Sequence, residues 1–286
     1  MRTVVSLIVC SVPFIACGLS AWAADLMPAE QIAEFRKARA YITDEALKNG
    51  QYQPSQWGSR INLSFTAVTD AGVGQLPRFD KLHRIDLGYL KITDAGLAPL
   101  KALPRLNDLN LIGTPIGDAG AEHLKGMTGL GILVLDSTKL TDAGLVHLKA
   151  LPNLGELYLR DTRVTDAGLA HLAGFPKLSR LYLSNTRLTD AGLAHLEGAK
   201  QLRSLELCNT AVTDAGVAHL AELTDLLELW LSGTAVTDAG LARLKGMTKL
   251  QGLWLTGTKV TDAGVRELET ALPNLTVVRE TKSRER

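Results

Sequence analysis

The chain has 286 residues, 46% hydrophobic and 21% charged, enough to bury a sizeable core in one or two domains. Its 31 basic and 30 acidic residues leave a net charge of +1. That balance argues against a nucleic-acid ligand, which calls for a strongly basic face, and gives no reason to propose an anionic membrane surface.

In chain order, the first predicted element is a leader. Arg2 precedes an apolar run over residues 4–19, and Ser20, Ala21, Trp22 and Ala23 follow. A basic start, a hydrophobic middle and a small-x-small end predict a secretory signal peptide, residues 1–23, cleaved after Ala23. The run is short for a spanning helix, so no transmembrane segment is expected in the mature chain. A rival reading takes Phe14, Ile15, Ala16 and Cys17 as a lipoprotein box with Phe where Leu is usual, anchoring the chain at Cys17; a third leaves the segment uncleaved. In each cleaved case the protein is exported: periplasmic, on the cell surface, or secreted. Cleavage after Ala23 also removes Cys10 and Cys17, leaving Cys208 alone, so stability is expected from packing rather than from disulfides.

Residues 24–57 are predicted as a helical N-terminal cap. Within them, 28–40 read as an amphipathic helix with Ile32, Phe35 and the stem of Arg39 inward, and Thr43 to Leu47 read as a degenerate TDAGL. From there to residue 275 the chain is a repeat. Asp-Ala-Gly begins at Asp70 and recurs every 24 residues through Asp262, nine copies without insertion or deletion. The frame is L-x-x-L-x-L-x-x-T-x-[VLI]-T-D-A-G-[LV]-x-x-L, clearest over residues 154–172. This resembles the leucine-rich repeat, in which a short strand and a helical return build a solenoid. The resemblance implies an α/β fold: a right-handed β-α horseshoe with a parallel sheet on its concave face and short helices on its convex face. Residues 116–124, IGDAGAEHL, resemble the bacterial GALA type, a relative of the ribonuclease-inhibitor-like class. One departure is Thr where that family usually has Asn, at 114, 138, 162, 186, 210, 234 and 258, with Leu90 breaking the column. A threonine hydroxyl can bond a turn backbone while its methyl packs. Some GALA-bearing effectors carry an F-box-like segment; residues 24–57 hold no convincing version, so that activity is not carried over.

Within each unit, Leu157 and Leu159 alternate with Glu156, Tyr158 and Arg160, which predicts one buried and one exposed strand face. Thr165 reads as an N-cap, Asp166 suits the positive helix end, and Leu169 and Leu172 share a face. Glycine costs about 1 kcal/mol in a helix relative to alanine, so Gly168 and its equivalents suggest close approach of neighbouring turns. Residues 276–286 are expected to form a tenth strand and a charged, frayed tail.

What recurs in every unit is scaffold, so function is sought where the pattern breaks. The Asp column is read as helix-start residues. The column His123, His147, His171, His195 and His219 is read as a solvated ladder on the flank or outer face, with no carboxylate or thiol to complete a metal set. Lys139, Arg163 and Arg187 are expected to pair near Asp136 and Asp161 on a solvated surface, and Cys208 to lie on the exposed side of its strand. No nucleophile–base set, Walker loop, H-E-x-x-H or C-x-x-C is present. The chain is expected to be neither an enzyme nor a cofactor or metal carrier.

One column stands apart. Between the two strand leucines lie Asn62, Asp86, Asn110, Val134, Tyr158, Tyr182, Glu206, Trp230, Trp254 and Val278. Aromatics are 5% of the chain, yet four share this row on the exposed strand face. Tyr and Trp are common binding anchors, which predicts a protein-binding stripe of Tyr158, Tyr182, Glu206, Trp230 and Trp254, with Arg160 and Arg180 as polar support. Mutual shielding of large side chains along the sheet gives the same clustering. A cell-envelope glycan is the alternative ligand, and a structural repeat without a dedicated ligand the third reading; a monomer is expected.

Overall fold

The structure is a computed structural model and describes residues 42–48 and 59–279. The leader, Cys17, the 28–40 helix and the charged tail lie outside them. Ten three-residue strands form one parallel sheet in chain order. They are β1 (Arg60–Asn62), β2 (Arg84–Asp86), β3 (Asp108–Asn110), β4 (Ile132–Val134), β5 (Glu156–Tyr158), β6 (Arg180–Tyr182), β7 (Ser204–Glu206), β8 (Glu228–Trp230), β9 (Gly252–Trp254) and β10 (Thr276–Val278). Every residue pairs with the one 24 places on, as Leu157 with Leu181 and Tyr158 with Tyr182. The fold is therefore an α/β leucine-rich-repeat solenoid, with the sheet lining its concave face. Leu133, Leu157, Leu181, Leu205, Leu229 and Leu253 are fully buried, as the alternation requires.

Beyond each strand the backbone keeps its lateral pairing for two more steps; Leu159 N donates to Tyr182 O at 2.8 Å and Asp161 N to Ser184 O at 3.0 Å. The chain then turns outward through one left-handed residue per repeat. Gly113, Gly233 and Gly257 hold this place in three repeats, and Ser137, Asp161, Asn185 and Asn209 in four. Glycine, Asn and Asp adopt that conformation most readily. The first two repeats place Phe65 and Tyr89 there instead, stacked at 4.5 Å. The next residue is the expected threonine: Thr162 Oγ1 donates to Leu159 O at 2.6 Å, and the bond recurs from Thr66 to Thr258. At the break, Leu90 is buried and only its backbone N–H reaches Leu87 O, at 3.3 Å.

The Asp-Ala-Gly column has a role that the helix-start reading did not include. Thr165 N donates to Asp142 Oδ1 at 2.8 Å, and Thr165 Oγ1 to Asp142 Oδ2 at 2.6 Å. The same pair of bonds joins Thr69 to Asp44, Thr93 to Asp70, and so on to Thr261 and Asp238. Each carboxylate thus grips the next repeat rather than merely facing its own helix end. Gly117 lacks the hydroxyl and keeps only the amide bond to Asp94, at 2.8 Å. Asp44, in the degenerate TDAGL, opens the series from a short helix, Asp44–Lys48. Asp262 has no following threonine, and Arg279 closes the series by pairing with it.

This grip explains the glycines. A Cβ on Gly168 would fall inside contact distance of Asp142 Oδ1, and all nine repeat glycines stand in the same relation to the preceding Asp. The threonine hydroxyl serves twice: Thr141, Thr189, Thr213 and Thr237 also accept from the amide two residues on, capping their own helices. Thr165 stands at its N-cap without that bond. Residues Asp94–Ala102 form a 3-10 helix instead of an α-helix, with Pro99 inside it removing a donor.

Helix propensity and inter-repeat packing make opposite predictions for Gly168→Ala. Propensity favours alanine by about 1 kcal/mol. The displaced Asp142 carboxylate loses charge-assisted bonds, and we expect a net destabilisation of about 2 kcal/mol in urea unfolding. A stabilised variant would mean that the carboxylate moves aside freely.

Candidate functional site

The concave row divides into two chemical halves. In its first part the side chains turn back onto their own loops. Asn62 Oδ1 accepts from Ser64 N at 3.0 Å, Asp86 Oδ1 from Gly88 N at 3.0 Å, and Asn110 Oδ1 from Ile112 N at 2.9 Å. After Val134 the rings begin. Tyr158 and Tyr182 stack at 4.2 Å with an 11° interplanar angle, and Trp230 and Trp254 at 4.3 Å with 14°. Adjacent parallel strands are about 4.8 Å apart, so in-register rings are brought face to face by the sheet itself. Tyr182 and Trp230 are two strands apart, yet their centroids are 6.4 Å apart at 45°, so they lean together across β7. The four rings make one continuous ridge, each half-buried. Gly252 admits the last of them, since a Cβ there would meet Trp254 Cη2 at 2.6 Å.

Glu206, expected as an exposed contact residue, lies buried at 6% exposure where Tyr182 and Trp230 converge. Its carboxylate is forked by Arg160, Nε to Oε1 at 2.8 Å and Nη2 to Oε2 at 2.6 Å, and Ser184 Oγ also donates to Oε1. Arg160 reaches Asp136 as well, through Nη1 at 3.2 Å and its backbone N–H at 2.7 Å. Its guanidinium carbon stands 4.5 Å from the Tyr182 ring centroid and 5.4 Å from that of Tyr158. Two expectations change here. Arg160 and Glu206 face each other beneath the rings, and the partner of Asp136 is Arg160 in a buried pair, with Lys139, Arg163 and Arg187 left exposed.

Burial pushes the Asp136 carboxyl up to about 6, against the opposing pull of Arg160 and with a further push from Glu206. Burial also works against the Arg160 charge, but its hydrogen bonds to Glu206 and nearness to Asp136 raise its pKa overall. Desolvation raises the Tyr158 hydroxyl, which donates to Glu156 Oε2 at 3.0 Å. Arg180, at the exposed rim, pairs with the other oxygen of Glu156 at 2.6 Å.

The remaining polar features are less suggestive of a site. His195 is exposed and His123, His147, His171 and His219 are half-buried. A carboxylate does reach this column: Glu197 lies 2.6 Å from His219 Nδ1. No group of three metal-ligating side chains occurs among the described residues. Cys208, expected on an exposed face, is wholly buried. Among the described residues no helix is long and apolar enough to cross a membrane.

The Arg160–Glu206 fork joins residues 46 places apart and escaped the sequence reading. A signal for it existed. Arg160 stands in a column whose later members are Ser184, Cys208, Ser232 and Thr256, and Glu206 interrupts a row of rings. Two charges placed among small and aromatic neighbours, two strands apart, invite pairing.

Repeat, register and concave face together are those of the leucine-rich-repeat fold. Among solved structures, the chain is similar to an internalin (inlF) of Listeria monocytogenes, with 21% identity over 79% of this chain and 81% of that one, at a TM-score of 0.46. It is also similar to internalin C2 of the same organism, with 23% identity over 84% of each chain and a TM-score of 0.46. No protein-family model and no curated protein matches the chain.

The buried cluster predicts a pH dependence. Because the folded pKa of Asp136 is raised, the stability it contributes is complete below its unfolded value, near 3.8, and is lost as pH rises through about 6. The difference in unfolding free energy between the wild type and Asp136→Asn is therefore expected to fall between pH 4 and 6, by up to about 1.4 kcal/mol per pH unit. Urea titrations across that range measure it; a difference independent of pH would remove Asp136 as the titrating group.

Proposed function

We propose that this chain is an exported leucine-rich-repeat scaffold that binds a protein partner through its concave face, on the ridge of Tyr158, Tyr182, Trp230 and Trp254. The observation that carries the reading is the ridge itself: four half-buried rings in one row of a curved sheet, in a chain with few aromatics. Arg160 and Glu206 hold the rings from below, while Arg180 and Glu156 supply a polar rim. Rigid aromatic side chains of this kind are frequent energetic centres of protein interfaces. Mutual stacking favours a protein over a glycan, because the ring faces that a sugar would cover are largely spent on each other.

The leader over residues 1–23 supports export, and the I-G-D-A-G-A-E-H-L segment supports the GALA-like subtype. Catalysis forms no part of the reading. Mass spectrometry of the mature N-terminus distinguishes cleavage before Ala24 from lipidation at Cys17.

The mature solenoid is expected to capture its partner from native envelope extract. The Trp230→Ala/Trp254→Ala variant should fold and bind that partner at least about ten-fold more weakly, as for loss of an interface centre. A folded variant with undiminished affinity would overturn the assignment. Tryptophan fluorescence titrated with wall or exopolysaccharide fragments tests the glycan alternative on the same ridge.

A further inference from the structure

We infer that the C-terminal third of the concave face accepts a basic side chain, lysine or arginine, presented by a partner protein to Glu228 beside Trp230 and Trp254. The inference rests on the reading of the concave face as the binding surface and adds the chemistry of what meets it.

The argument begins with charge. Along this face Asp108 faces Arg84 at 3.0 Å, Glu156 faces Arg180 at 2.6 Å, and Asp136 and Glu206 share Arg160. Glu228 differs. Its Oε2 accepts from Ser204 Oγ at 3.0 Å, and no lysine or arginine among the described residues pairs with it. Strands β7 to β10 carry no lysine or arginine at all. A half-buried carboxylate is thus left uncompensated where the sheet has no cation of its own.

Position supplies the second part. Glu228 and Trp230 are two residues apart on one strand, so both project from the concave face. Across the ladder, Glu228 is in register with Gly252 and Trp230 with Trp254. Gly252 contributes no side chain, and the edge of the Trp254 indole occupies the space above it. The carboxylate therefore stands at the foot of two stacked indoles. A cation entering there meets a half-buried carboxylate for a charge-assisted hydrogen bond in a partly desolvated setting. An acidic group entering the same place meets repulsion, with no basic residue on β7 to β10 to offset it.

The test uses the full mature chain and two synthetic peptides, Ac-(Gly-Arg)3-amide and Ac-(Gly-Glu)3-amide, read by tryptophan fluorescence. The arginine peptide is expected to perturb the signal in a saturable, salt-weakened manner, and the glutamate peptide to leave it unchanged. Glu228→Gln should weaken the arginine peptide about ten-fold, in keeping with loss of one charge-assisted pair, while Glu269→Gln, on the convex side, leaves it unaltered. Near-UV circular dichroism checks that Glu228→Gln keeps the stacked indoles. No response to the arginine peptide, or equal binding by folded Glu228→Gln, overturns the inference. The captured partner separates the two readings. If its binding is lost in Trp230→Ala/Trp254→Ala but indifferent to Glu228→Lys, the ridge stands and the basic contact falls; indifference to both variants fells both.

Discussion

From Asp44 to Asp238, with Asp94 the one exception, an aspartate reaches forward to the next turn of the solenoid, where a threonine amide and hydroxyl close on its two oxygens. The rest of the architecture follows from that grip. It sets the spacing of the convex side, so the residue two places after each Asp must lack a Cβ, and glycine recurs despite its helix cost. It also fixes the phase between turns, so that strands on the opposite face fall into a strict 24-residue register. Individual bonds at a partly exposed surface are worth about 0.5–1.5 kcal/mol. In a solenoid, however, each is a nearest-neighbour term, and their sum spans the chain from Asp44 to Asp238.

That phase is what makes the concave ridge possible. Four aromatic residues spread over 97 positions become one stack only because every strand starts at the same height. Two of the contacts, Tyr158 on Tyr182 and Trp230 on Trp254, come from adjacent strands and need nothing more than register. The third spans two strands, and Glu206 lies beneath the gap. A lone carboxylate buried there would be costly. Arg160 neutralises it from two strands away and also lies over the rings of Tyr158 and Tyr182. The ion cluster is thus better understood as a device for holding the ridge in one arrangement than as a source of net stability, since buried pairs often gain little after desolvation.

The fold was legible in the sequence because a repeat states its structural rules many times. Leucines at alternating positions, the TDAG start and the turn threonine recur at fixed offsets, and each emerged with the geometry its chemistry implies. The carboxylate grip was less legible. Asp166 beside a helix start has a sufficient local explanation, and nothing in one repeat reveals that its oxygens serve Thr189, 23 residues later. The ridge row could be aligned from the leucine frame, but the burial of Glu206 depends on how far neighbouring rings lean, which side-chain spacing alone does not encode.

Departures from the repeat then take on unequal meanings. Gly117 and Pro99 weaken one grip and one helix and change nothing on the concave side. Phe65 and Tyr89 occupy left-handed positions that such residues rarely adopt, and stack near the N-terminal end of the sheet. Arg160, Glu206 and the four rings differ from both groups because they come from separate repeats yet interlock with one another. Isolated departures can accumulate without consequence in a nearest-neighbour scaffold. Departures that fit together across repeats 1 to 4 strands apart require the scaffold to hold them, and that dependence ties the convex carboxylates to the geometry of the opposite face.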